Sequence, residues 1–208
     1  MDYGAHPRES GLAADDLSAQ PPRNRALMRA AKLVCGQGEF LCVVRDVSTT
    51  SLRLRTFHRL PTDPTLALEL QNGETFELKE LDRRGFDGTY RFVRPVAIER
   101  LIHENWNYPK RQLRLNICVP LTVSTLTKQA EAVTFNLSQQ GARIECDEVF
   151  AIDQKVRVSG EGMDEIRATV RWRRDSNYGL VFENTFSLPQ FALLAASLQC
   201  PLMLLEGD

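Results

Sequence analysis

Asp46-Val47-Ser48-Thr49-Thr50-Ser51 and Asn136-Leu137-Ser138-Gln139-Gln140-Gly141 are one short polar turn written twice, with corresponding positions 90 residues apart. Each turn follows an apolar run and leads into an alternating segment, Leu52-Arg53-Leu54-Arg55 in the first copy and Ala142-Arg143-Ile144-Glu145 in the second. Each therefore joins two strands. In a chain of 208 residues that offset means two copies of one small domain. The repeat extends further: Phe92 closes Gly88-Thr89-Tyr90-Arg91-Phe92, and 90 residues on Phe182 closes Tyr178-Gly179-Leu180-Val181-Phe182. Gly88 and Gly179 differ by 91 and Arg29 and Arg114 by 85, offsets that small insertions or deletions between the copies would absorb.

Working outward, the first copy reads as strands at Lys32–Cys35, Glu39–Arg45 and Leu52–Phe57, followed by a hairpin of Leu66–Leu70 and Thr75–Leu81 about an Asn72-Gly73 turn. A last strand ends at Phe92, and Pro95–Glu104 has the spacing of a short amphipathic helix. The second copy repeats the plan at Leu115–Thr125, Glu131–Asn136, Ala142–Cys146, Gln154–Ser159, Ile166–Arg173 and Gly179–Phe182. Ser187, Pro189 and the run Phe191–Leu198 predict a capped terminal helix covering one end of its sheet. Many short strands separated by turns form a sandwich or a barrel, and closure removes exposed edges. The expected fold is mainly β: two tandem six-stranded antiparallel β-barrels, each with a C-terminal helix. The boundaries are a disordered lead at 1–20, a first domain at 21–104, a linker at 105–109 and a second domain at 110–208.

Composition bounds the function. Apolar residues make up 43% and charged residues 25%, as in ordinary globular proteins, and no apolar run approaches a membrane span. The acidic N-terminus has the pattern of neither a secretory nor a mitochondrial-type presequence. Cys35, Cys42, Cys118, Cys146 and Cys200 are odd in number and lack paired spacing, which favours reduced thiols in a cytoplasmic protein over disulfides or a metal site. A net charge of −1 argues against general affinity for nucleic acid, so anion binding must be local. His6, His58 and His103 lie near no Ser or Cys motif, and no carboxylate pair has a catalytic setting, so an enzyme is not expected.

Before the first turn lies Arg23-Asn24-Arg25-Ala26-Leu27-Met28-Arg29, a basic arm with an Arg-x-x-x-Arg spacing at Arg25 and Arg29. With 21 Arg in the chain, chance alone gives about two such pairs. The information lies in the order: an Arg pair, then Asp-x-Ser-x-x-Ser in one copy and Asn-x-Ser-x-x-Gly in the other. This resembles the PilZ family, whose pattern is Arg-x-x-x-Arg followed by (Asp/Asn)-x-Ser-x-x-Gly. The closing strand pair Trp172-Arg173-Arg174-Asp175-Ser176-Asn177-Tyr178-Gly179-Leu180-Val181-Phe182 is also typical of that family.

The resemblance implies six-stranded barrels that bind the bacterial second messenger cyclic di-GMP, with no other cofactor. An Arg fork can bond guanine N7 and O6 together or stack on the base, and a carboxylate can accept from guanine N1 and N2. In the first copy it assigns Arg25 and Arg29 to guanine and phosphate, with Arg23 as a helper, Asp46 to the guanine donors and Ser48 to a supporting hydroxyl contact. Ser51 stands where the family has Gly. In the second copy Asn136, Ser138 and Gly141 match the turn, but Lys110 holds the first Arg position before Arg114. Lys is a point charge without the Arg fork, so this site is expected to be the weaker, with Arg111 and Arg143 as auxiliary contacts.

Plainer roles compete. Asp46 and Asn136 also suit caps of their own turns, as do Ser48 and Ser138, and Trp106 and Trp172 suit packing. Two functions remain open. One is a receptor whose basic arm and domain orientation respond to cyclic di-GMP and alter a protein partner in motility, polysaccharide or cell-cycle control. The other is a degenerate tandem adaptor that no longer binds nucleotide.

Overall fold

The computed structural model describes residues 25–102 and 112–205. The expected lead at 1–20, the linker at 105–109, Trp106 and the candidate residues Arg23, Lys110 and Arg111 lie outside them, as does the side chain of Arg25. In the first half, β1 (Arg25–Cys35), β2 (Gly38–Val47), β3 (Ser51–Thr56), β4 (Leu66–Glu69), β5 (Thr75–Arg84) and β6 (Asp87–Phe92) close into an antiparallel barrel in the order β1-β2-β3-β6-β5-β4. A short helix α1 (Ile98–Ile102) follows, with Leu101 fully buried.

The second half repeats the barrel with β8 (Pro120–Ser124), β9 (Gln129–Ser138), β10 (Gly141–Glu145), β11 (Lys155–Gly160), β12 (Met163–Arg174) and β13 (Asn177–Phe182), closed between β9 and β10. A two-residue strand β7 (Arg114–Leu115) pairs with the far end of β9. The expected Leu115–Thr125 strand is thus broken in two, because Ile117–Val119 turn away to bond Thr134, whose Oγ1 donates to the Ile117 carbonyl at 2.6 Å and accepts from Val119 N–H at 3.0 Å. Helix α2 (Leu188–Gln199) starts at Ser187 with a capping box to Gln190 and Pro189 in its first turn. A four-residue helix α3 (Leu202–Leu205), which the pattern did not predict, ends the described chain.

Inward positions alternate along β3, at Leu52, Leu54 and Thr56, and in the same way along β4, β6, β8 and β11. Strand β2 breaks the alternation, with Phe40, Leu41 and Cys42 all buried. Phe40 and Cys42 face their own barrel core, whereas Leu41 belongs to the core of the second half. The outer side of β2 is the seat of the second half. Helix α2 buries Phe191, Ala192, Ala195 and Ala196 and packs on β2, so it joins the two barrels as well as covering its own. At its end the Gln199 side-chain amide donates to the Glu39 carbonyl and accepts from Glu39 N–H, both at 2.8 Å. Gly38, at φ 141°, allows that approach, since a Cβ there would collide with the Gln199 amide.

The basic arm expected ahead of the first strand is not an arm. Residues 25–29 are the start of β1, with Arg25 opposite Val47 and a bulge before Arg29 opposite Val44. They pair because β2 itself runs on past its apolar stretch to Val47 and offers β1 a backbone partner along that whole length. Arg29 is buried, and its Nη1 donates to the Leu101 carbonyl of α1 at 2.7 Å. This bond ties the closing helix to the barrel. Arg29→Ala is expected to cost about 1.5–3 kcal/mol, the worth of a charged hydrogen bond lost from a buried site, read as a fall in the urea midpoint.

His58, in the loop after β3, is buried edge-on to Phe40 with ring centroids 5.4 Å apart. Its Nδ1 lies 2.6 Å from the Arg59 carbonyl and must donate to it. A second proton would go on Nε2, which has no partner among the described residues, and burial pushes the His58 pKa below its ordinary value. The unfolded chain then takes up this proton at higher pH than the native one, so stability falls as pH drops below about 6.5 and levels off below the native pKa. His58→Phe should flatten that part of the urea midpoint against pH between about pH 7.5 and 5.

Candidate functional site

Both polar turns close on their own hydroxyl groups. Ser48 is fully buried, and its Oγ accepts from Ser51 N–H at 3.0 Å and shares a bond with Ser51 Oγ at 2.9 Å. Ser138 Oγ donates to the Gly141 carbonyl at 3.1 Å. Gly141 does not have positive φ among the described residues. A Cβ at that position would stand against the Leu180 carbonyl of β13, so the glycine serves close strand approach rather than turn conformation. In the first barrel Ser51 lies opposite Arg91 and occupies this position with its hydroxyl turned to Ser48.

The strand registers fix which residues of the two copies correspond. Arg25 faces Val47 as Leu115 faces Leu137, and Ala30 faces Val43 as Pro120 faces Val133. The offset is 90 throughout, with no insertion between. Arg29 and Arg114 are therefore not counterparts: Arg114 faces Ser138 at the mouth of the turn, one position beyond the counterpart of Arg25. Gly88 and Gly179 are not counterparts either, since Arg143 faces Gly179 while Arg53 faces Thr89.

On the second barrel these registers bring a constellation together. Arg114 Nη1 donates to Asn136 Oδ1 at 3.3 Å, joining the arm to the turn. Asn136 faces Arg143 across β9 and β10, Arg143 faces Gly179 on β13, and Gly179 faces Trp172 on β12. The indole covers Gly179 so closely that a Cβ there would overlap it. A bulge at Arg171, between Val170 and Trp172, turns that segment of β12 outward, and Trp172 keeps 40% of its surface exposed. One cavity of about 380 Å³ beside the indole is lined by Gln112, Arg114, Ser138, Gly141, Arg171 and Trp172. A second, of about 600 Å³, holds Arg143, Trp172, Arg174, Asp175 and Asn177. Arg143 lies over the Phe135 ring at 4.9 Å and donates to Asn177 Oδ1 from Nε and Nη2 at 3.1 and 2.9 Å.

The corresponding face of the first barrel has a different charge balance. Asp46 lies 3.7 Å from Arg53, Asp87 3.9 Å from Arg55 and Asp82 3.1 Å from Arg84, while Arg83 pairs with Glu80. Leu81 and Asp82 stand where the second barrel has Arg171 and Trp172. Arg53, Arg55, Arg83 and Arg84 of the first face are met by carboxylates. Those of the second, Arg114 and Arg143, are met by neutral amides, which leaves them positive charge to offer an anion. Arg171 is the exception, 3.7 Å from Asp153, with both side chains largely exposed.

Sequence reasoning anticipated Arg114, Asn136, Ser138, Gly141 and Arg143, and the fold gathers all five. It read Trp172 as packing and did not include Arg171, Gln112 or Asn177. The signal was present in Trp172 and Gly179, seven residues apart on paired strands. Reading it required the register.

A family model for the PilZ domain matches residues 109–199. No curated protein matches the chain significantly. Among solved structures, PlzA of Borreliella burgdorferi in complex with c-di-GMP is 12% identical with a TM-score of 0.34, over 83% of this chain and 88% of that one. The Bacillus subtilis inhibitor of motility, MotI/DgrA, is 13% identical with a TM-score of 0.36 over 86% and 98%, and Escherichia coli YcgR in complex with c-di-GMP is 14% identical with a TM-score of 0.29 over 85% and 83%. Overall scores this low carry nothing about the ligand of this chain. The family match falls on the barrel that bears the Arg114–Asn136 contact and the Trp172 platform: residues 109–199 match the PilZ domain, and another closed barrel precedes them in the chain.

Proposed function

We propose that the protein is a cytoplasmic cyclic di-GMP receptor and that the nucleotide binds on the second barrel. The observation that carries this reading is the contact of Arg114 with Asn136 at the edge of a cavity walled by Trp172 and Arg171. Its size lies within the usual range of small-molecule clefts. Arg114 supplies a planar fork for the N7 and O6 edge of guanine or for a phosphate, and Asn136 an amide for a base edge. Trp172 offers an indole face for a base to stack on. Arg143, Arg171 and, from outside the described residues, Lys110 and Arg111 complete the anion-binding set. None of these groups is asked to do chemistry, so the reading is of a receptor rather than an enzyme.

The first barrel is proposed as the adaptor part. Its carboxylates at Asp46, Asp82 and Asp87 oppose a phosphodiester, which favours a structural role for Arg25, Arg29, Asp46, Ser48 and Ser51 over nucleotide contact. The proposed output is a change in affinity for a protein partner, in motility, polysaccharide or cell-cycle control.

Calorimetric titration of the whole protein with cyclic di-GMP tests this reading. Wild type is expected to bind, Arg114→Ala to lose about 1.5–3 kcal/mol and Trp172→Ala about 1–3 kcal/mol, while Asp46→Ala binds like wild type. Loss confined to Asp46→Ala would move the site to the first barrel. No heat from folded wild type would favour an adaptor that binds no nucleotide.

A further inference from the structure

We propose that Glu39, on the first barrel, is a positioning residue for nucleotide recognition by Arg114 on the second. The inference rests on the function proposed above and adds a contact that the PilZ pattern does not contain.

Strand β7 has two residues and holds β9 only through Arg114 opposite Ser138 and Leu115 opposite Leu137. A pairing that short does not by itself fix a backbone. The chain beyond it is held from the other barrel. Glu39 accepts from Asn116 N–H at 2.8 Å through Oε2 and from Asn116 Nδ2 at 2.7 Å through Oε1, a two-point grip on the residue that follows β7. Lys32, beside it, donates to the Arg114 carbonyl at 3.4 Å and to Glu39 Oε2 at 2.9 Å, and lies 3.2 Å from Glu69 Oε1. Glu39 is itself held on its backbone side by Gln199 of α2.

Arg114 is therefore clasped between β9 on one side and the Glu39–Lys32 pair on the other, and its side chain leaves this clasp toward Asn136 at 3.3 Å. Glu39 does not line the cavity beside Trp172. What it supplies is preorganisation: with Asn116 gripped, the guanidinium is already aimed at the turn before a ligand arrives, and less ordering is left for binding to do. By reciprocity, a ligand on Arg114 tightens the seat between the barrels.

The test is a double-mutant cycle on the full chain, read by calorimetry with cyclic di-GMP: wild type, Glu39→Ala, Arg114→Ala and the pair, with Glu39→Gln and Asn116→Ala beside them. Glu39→Ala is expected to weaken binding about 5- to 20-fold, within the usual span of site-to-site coupling. It should have no further effect once Arg114 is Ala. Glu39→Gln, which keeps a carbonyl acceptor, should recover part of the affinity, and Asn116→Ala should weaken binding severalfold in a chain whose Glu39 and Lys32 remain paired. Affinity of Glu39→Ala within twofold of wild type, or an equal loss in both backgrounds, would overturn the positioning role while leaving the second-barrel site intact. Absence of binding by folded wild type would overturn both.

Discussion

The ammonium group of Lys32 is the constraint around which the two halves are arranged. It is only 4% exposed, and a buried cation is costly unless its partners are complete. It has three partners: it donates to Glu39 at 2.9 Å and to the Arg114 carbonyl at 3.4 Å, and it is ion-paired with Glu69 at 3.2 Å. Two come from the first barrel and one from the second, so the charge is fully served only where the barrels meet. Beside it the apolar contribution is ordinary, with Leu41 standing outward from β2 into the core of the second half. The hydrophobic contact gives the seat its area, and the Lys32 cluster gives it a register.

The two barrels share one frame carried through at a single offset. Bulges fall at Arg45 and Phe135 and again at Leu81 and Arg171, each pair 90 apart, so the bends that shape the barrels are held in common. What differs is the residue each bend turns outward. Phe135 gives Arg143 a ring to lie on. Arg171 and the adjoining Trp172 line the cavity of the second barrel, where the first has an exposed Leu81 and an Asp82 engaged with Arg84. One frame thus presents a cationic, aromatic face on one copy and a charge-balanced face on the other. The copy that kept the turn glycine is the copy with the open face, consistent with the close approach of Gly141 to Leu180 that joins β10 to β13.

Read alone, the sequence determined the duplication, the mainly β class, the two closed barrels, the capped terminal helix and the Asn136–Gly141 turn. Each of these follows from local pattern: alternation, turn chemistry and a repeated offset are properties of residues near one another in the chain. It did not determine which arginines the fold leaves on an open face and which it draws into its own bonds. Arg25 and Arg29 match the spacing of a ligand arm, yet Arg29 is spent on the Leu101 carbonyl, because β2 is long enough to draw the arm into β1. It did not give Trp172 its place over Gly179, since that contact joins strands whose register a bulge sets. Nor did it contain the grip of Glu39 on Asn116, 77 residues apart, which exists only once β2 of one barrel lies beside β7 of the other. Local pattern decides what each half folds into; pairing register and the docking of two barrels decide which charges meet, because those distances are set by backbone closure and not by spacing along the chain.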